Sequence, residues 1–291
     1  MQGLALYCAT VMIWGSTWIA ITFQLGIIDP GVSIAHRFML ASLLMFTFLL
    51  LRRQPLRLAW KHTRVMLVQA LCLFCINYWF VYQAEGLITS GLVALVFSNL
   101  VIFNILNGAL IERIPIDKTI LAGALTGMLG MVLLFWPELI GVDMNKQALM
   151  GLLYALLGAY LASLGNLAAA RNSREQVPVL VTNAWGMGVG ALCLYGFSLA
   201  RGVPITVDPS FSYMASLVFL SVFGSLIAFW CYITLIGRIG ADRASYVNLL
   251  IPVVAMLVST VFEGYQWSMM TALGLSFILL GNWLVMKTAR R

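Results

Sequence analysis

Residues 90–136 read SGLVALVFSNLVIFNILNGALIERIPIDKTILAGALTGMLGMVLLFW. They form an apolar run, a short turn holding Glu112, Arg113, Asp117 and Lys118, and a second apolar run marked by Gly123, Gly127 and Gly130. The pattern returns near the C-terminus. A shift of about 151 positions lays Glu112 on Glu263, Gly123 on Gly274, Gly130 on Gly281 and Leu133 on Leu284. The chain therefore reads as a doubled unit, residues 1–142 followed by residues 143–291.

Of the 291 residues, 62% are hydrophobic and 9% charged, and the mean hydropathy is +0.97. So little polar surface cannot cover a soluble globule, and the chain is read as an all-α integral membrane protein. Its lipid bilayer is the first expected partner. The cysteines Cys8, Cys72, Cys75, Cys193 and Cys231 fall in apolar runs, where they act as small hydrophobes. Cys72 and Cys75 have CxxC spacing, but no second pair or nearby histidine completes a zinc site, and no cofactor is implied. The formal charge of +7 sits between the apolar runs and not on one face, which makes it a topology signal with no nucleic-acid partner implied.

Ten apolar spans follow, at 4–23, 32–51, 65–84, 89–111 and 120–136, then 149–170, 179–200, 215–236, 244–262 and 271–286. Each is long enough to cross about 30 Å of hydrocarbon at about 1.5 Å per residue, with some tilt or shortening. The first lacks the basic segment and small-residue cleavage site of a signal peptide and is read as retained. Seven prolines fall in connections, while Pro252 lies inside span 9, frees a carbonyl near Asn248 and marks the expected hinge. Five spans per unit is an odd number, so the second unit must be inverted relative to the first: two inverted five-helix repeats. With the N-terminus inside, every Lys and Arg except Arg37, Lys146 and Arg201 falls on inner segments, so both termini are expected in the cytoplasm and the protein in the cytoplasmic (inner) membrane.

Within the spans the only charged residue is Arg37, beside the only histidine, His36; no Asp or Glu lies inside a predicted span. Arg37 is about 8 Å deep. It has two readings, a cation facing the interior that receives an anionic group of a solute, or a side chain snorkelling to headgroups. Span 3 carries Asn77, Tyr78, Trp79, Phe80 and Tyr82, and span 8 answers with Phe229, Trp230 and Tyr232. Trp18 and Tyr82 fit an interfacial belt, whereas Trp14 and Tyr78 lie nearer the midplane and suit either packing or a cavity wall. Asn99 falls near the bilayer centre, with Asn248 at comparable depth in span 9, while Asn104, Asn107, Asn166 and Asn282 read equally well as helix-to-helix glue. The candidate solute-binding set is Trp14, Arg37, Asn77, Tyr78, Tyr82, Asn99, Trp230 and Asn248, with spans 1, 3, 4, 6, 8 and 9 around the cavity.

The repeat, WGSTW at 14–18, HRF at 36–38, IER at 111–113 and the glycines of spans 5 and 10 together resemble the drug/metabolite transporter superfamily, specifically the EamA-type exporters, over nearly the whole chain. The resemblance implies a ten-helix bundle with a central cavity that moves small metabolites such as amino acids, usually outward. Two positions depart from the family's pattern: Asn99 stands where a proline is common in span 4, and Ala184 occupies the second-repeat counterpart of the arginine. A non-transporting scaffold or lipid-binding subunit is the alternative. An intramembrane enzyme is disfavoured, since the spans lack the paired titratable groups that acid–base or metal chemistry requires.

Overall fold

A computed structural model describes residues 2–24, 26, 28–141, 145–262 and 268–288. Glu263, read as the repeat partner of Glu112, and the side chain of Trp18 lie outside the described residues. Among those described there is no strand.

Helix covers every predicted span. The elements are α1 (Gln2–Thr22), α2 (Pro30–Leu51), α3 (Trp60–Phe74), α4 (Ile76–Glu85), α5 (Ser90–Phe97), α6 (Leu100–Ile111), α7 (Lys118–Leu134) and α8 (Trp136–Gly141). They continue with α9 (Lys146–Arg174), α10 (Val179–Ala200), α11 (Phe211–Phe219), a π-helical segment (Leu220–Ile227), α12 (Ala228–Ile239), α13 (Ala241–Ala244), α14 (Val247–Phe262) and α15 (Met269–Thr288). Among the described residues, six stretches, Pro30–Leu51, Trp60–Glu85, Gly91–Ile111, Lys146–Arg174, Val179–Ala200 and Phe211–Ile239, are long and apolar enough to cross a bilayer. This is a multi-pass membrane protein.

Polar residues begin the helices where orphan N–H groups need acceptors. Asp29 accepts from the N–H of Gly31 at 2.8 Å, ahead of Pro30 in the first helical position. Asp117 accepts from Thr119 N–H at 2.8 Å, and Asn145 from Ala148 N–H at 3.0 Å.

The interruptions fall where sequence gives little warning. Cys75, at φ −129° and ψ −83°, separates α3 from α4, and Ser98 with Asn99 separates α5 from α6. The π segment divides Phe211–Ile239. Helix α14 by contrast runs through Pro252.

The most extensive helix contact joins α7 to α15, and α2 pairs with α10 in the same way. Helix α9 packs against α3, α4, α5 and α6, and α1 packs against α12 and α14. The α7–α15 contact is backbone on backbone. A Cβ on Gly130 would lie 2.6 Å from the Gly274 carbonyl oxygen, and one on Gly281 would lie 2.6 Å from that of Gly123. Gly123 thus faces Gly281 while Gly130 faces Gly274, so the two helices run antiparallel. Small residues give close approach where lipid offers no hydrophobic drive to associate. Gly130→Ala and Gly281→Ala should each lower the thermal midpoint of the purified protein, at a cost of about 1–3 kcal/mol. Gly196→Ala, where a Cβ meets nothing within 4 Å, should leave it unchanged; equal shifts at all three positions would refute the close-packing account.

Candidate functional site: a central cavity with one buried cation

A cavity of about 180 Å³ lies at the centre of the helices. Trp14, Thr17 and Ile21 of α1, Arg37 of α2, Asn77, Tyr78, Tyr82 and Glu85 of α4 and Ser98 line it. Asn166 of α9, Phe229 and Tyr232 of α12, and Asn248 and Pro252 of α14 complete its polar and aromatic wall. All six predicted spans contribute, and Arg37 adds α2.

Arg37 reaches this position because Ile34, Arg37, Phe38, Ala41 and Met45 share the buried face of α2. It is 3% exposed. Its Nε donates to Ser225 Oγ at 2.7 Å and its Nη2 to the Gly224 carbonyl at 3.1 Å. The guanidinium carbon stands 5.7 Å from the ring centres of both Phe38 and Tyr78. No carboxylate pairs with it among the described residues. Snorkelling is therefore not its state here: it is a buried cation held by neutral groups and aromatic faces. A buried charge without a counter-charge leaves attraction for an anion unused.

The Gly224 carbonyl also accepts from Trp14 Nε1 at 3.0 Å. It belongs to the π segment, whose altered bonding leaves it open to two side-chain donors; such segments recur at functional sites. The Trp14 ring stands 5.0 Å from both Phe229 and Tyr232, and Phe38 packs edge-on against Tyr78 at 4.9 Å. Two amide oxygens complete the wall. Asn166 Nδ2 donates to Tyr232 Oη at 3.0 Å, but Asn166 Oδ1 and Asn77 Oδ1, both buried, have no partner. The cavity thus offers a cation, unpaired acceptors and aromatic faces.

Of the candidate set, Trp14, Arg37, Asn77, Tyr78, Tyr82 and Asn248 come together here, with Pro252 beside them. Asn99 and Trp230 are not in the lining. The Asn99 amide donates to the Val96 carbonyl at 2.8 Å in the break after α5, and its neighbour Ser98 faces the cavity instead. Trp230 is 40% exposed, and the flanking Phe229 and Tyr232 turn inward. His36 packs against Tyr195 of α10 at 5.6 Å, outside the lining. The glue readings hold: Asn104 donates to the Ala241 carbonyl at 3.1 Å, Asn107 to Ser163 Oγ at 3.0 Å and Asn166 to Tyr232 Oη, and Tyr7 donates to Asn282 Oδ1.

Glu85 is the charged lining residue that the sequence reading passed over. It lies one position beyond the span 65–84, yet α4 continues through it. Its signal was spacing, because Tyr78, Tyr82 and Glu85 recur at helical intervals on one face.

Against known proteins, the model of the EamA-like transporter family matches residues 1–136 and again 149–287. The uncharacterized inner membrane transporter YedA of Escherichia coli is 27% identical over 93% of this chain and 86% of its own. The uncharacterized transporter YoaV of Bacillus subtilis is 22% identical over 85% of this chain and 84% of its own. A probable amino-acid metabolite efflux pump of Escherichia coli is 25% identical over 93% and 90%. A solved crystal structure superposes with a TM-score of 0.83 at 22% identity, covering 99% of this chain and 98% of its own, and shares the fold. Matched in both halves of its length, this chain belongs to the EamA-like transporter family.

Proposed function

We infer that the chain is a secondary transporter that binds small amphipathic solutes, such as amino acids, in the central cavity and exports them by alternating access. The observation that carries this reading is Arg37, a guanidinium buried on the cavity wall with no carboxylate partner among the described residues. An anionic group of a solute supplies the missing charge. Asn77 Oδ1 and Asn166 Oδ1 accept from its N–H groups, and Trp14, Tyr78 and Phe229 pack its apolar part. The likeness to a probable amino-acid metabolite efflux pump favours the same class and direction.

Ten spans in two inverted repeats supply the machinery, the first within residues 1–142 and the second within 143–291, with both termini cytoplasmic. Three observations support the inverted repeat. The family model matches twice, once in each half. The glycine contacts are reciprocal: exchanging Gly123 with Gly274 and Gly130 with Gly281 turns one close contact into the other, as an antiparallel pair about a two-fold axis requires. The helix contacts follow the same exchange, since α1 against α14 mirrors α9 against α5 and α6. Pro252, on the cavity wall inside α14, is the hinge position.

Counterflow in proteoliposomes tests the site. Arg37→Gln should weaken half-saturation by an aromatic amino acid about tenfold or more, the loss of one charge-assisted contact; an unchanged value would remove Arg37 from solute binding. Glu85, the carboxylate on the wall, is the group available for proton coupling, and His36 faces elsewhere. The pH profile of exchange should flatten in Glu85→Gln and persist in His36→Gln, and the reverse pattern would exclude Glu85. A C-terminal fluorescent-protein fusion should glow and an alkaline-phosphatase fusion stay inactive; the opposite result would invert the orientation.

A further inference from the structure

A second pocket, of about 170 Å³, lies at the end of the bundle opposite Glu85, between the ends of α6 and α9 and the α12–α13 turn. The orientation proposed above makes this the cytoplasmic end. Ile105, Ile116, Ile120, Leu167 and Ile236 give it an apolar floor. Its charged groups are Glu112, Asp117, Asp242 and Arg174, and they do not balance. Arg174 is bonded to Glu112, and Asp117 has Arg243 at 3.9 Å. Asp242 has no ion-pair partner among the described residues beyond its neighbour in sequence, Arg243. Burial pushes its carboxyl up, the charge of Asp117 adds to this, and the Arg243 backbone N–H and guanidinium oppose it.

A separate observation concerns the amide that lines the same pocket. Asn104 is 1% exposed and its Nδ2 is spent on the Ala241 carbonyl, but its Oδ1 has no partner. A buried acceptor left empty costs about 1–3 kcal/mol. The group that would satisfy the pocket must therefore carry positive charge and have N–H bonds to give. Among the described residues, no three of His, Cys, Asp and Glu come close enough together to hold a metal ion, and the apolar floor suits a carbon chain.

We propose that this pocket is a second binding site, separate from the central cavity, for a primary ammonium group on an apolar chain, with Asp242 as its counter-charge and Asn104 Oδ1 as its hydrogen-bond acceptor. The ammonium can come from a free amine or from the headgroup of phosphatidylethanolamine. A quaternary ammonium meets the charge but cannot donate to Asn104.

Calorimetric titration of the full chain in phosphatidylcholine nanodiscs tests this, with 2-phenylethylammonium as probe and its N,N,N-trimethyl analogue beside it. The primary amine should bind about tenfold more tightly than the trimethyl form. Asp242→Asn should weaken both, and Asn104→Leu should remove the difference between them. Arg37→Gln, in the other cavity, should leave both affinities unchanged. Equal binding of the two probes to the unaltered chain overturns the proposal even if a variant fails to fold, and so does tight binding that survives both pocket substitutions. Nanodiscs of phosphatidylethanolamine separate the sources: weaker apparent binding there identifies the lipid headgroup as occupant, and unchanged binding identifies a free amine. The titration involves no transport, so a failure of the central-cavity reading would appear in counterflow and leave this result standing.

Discussion

In the hydrocarbon of a bilayer no water stands ready for a peptide N–H or carbonyl, so a spanning chain must satisfy its backbone from within. Helix is the answer almost everywhere here, and the exceptions share a location. The break at Cys75 lies between Leu73 and Asn77, the break at Asn99 between Ser98 and Leu100, and the π segment ends at Ile227, two residues before Phe229. All of these flanking residues line the central cavity. Irregular backbone is tolerated at membrane depth where it borders protein or a wet space, and the cavity provides that space.

The same constraint explains how the chain keeps a guanidinium at depth. Arg37 has no carboxylate, yet it is not bare: a serine hydroxyl, a carbonyl released by the π segment and two aromatic faces surround it. Such neutral partners hold a cation while leaving its net charge intact. A permanent carboxylate partner would have cancelled that charge. The stabilisation is sufficient to keep the residue in place and incomplete enough to attract an anion.

Much of the fold was legible because hydropathy reports where a chain meets lipid. The helical spans, the doubled glycine pattern of α7 and α15, and the place of Arg37 as the one charged residue in a predicted span were readable from residue type and spacing, while its burial was one of two readings that the sequence left open. Rotation about each helix axis was not. Phe229 and Trp230 are neighbours in sequence and so point about 100° apart; which faces inward depends on the π segment before them, and LSVFGSLI carries no residue that announces it. Asn99 and Ser98 exchanged places for a similar reason at the break after α5. Pro252, the loudest helix-breaking signal, lies in a helix that continues through it. Glu85 was hidden by a boundary, since a window that stops at the first charge excludes the residue that the helix still carries to the wall.

The π segment also bears on how the gene can vary. Each residue advances an α-helix by about 100° and a π-helix by less, so recasting the eight residues Leu220–Ile227 as α-helix would turn everything after them. Phe229 and Tyr232 would swing off the cavity, Trp230 would swing towards it, and the carbonyl shared by Trp14 and Arg37 would rejoin the helix ladder. Substitutions can accumulate in this stretch of the chain, but its length cannot drift: across relatives that keep this cavity, alignments through these eight residues should be free of gaps even where identities are few.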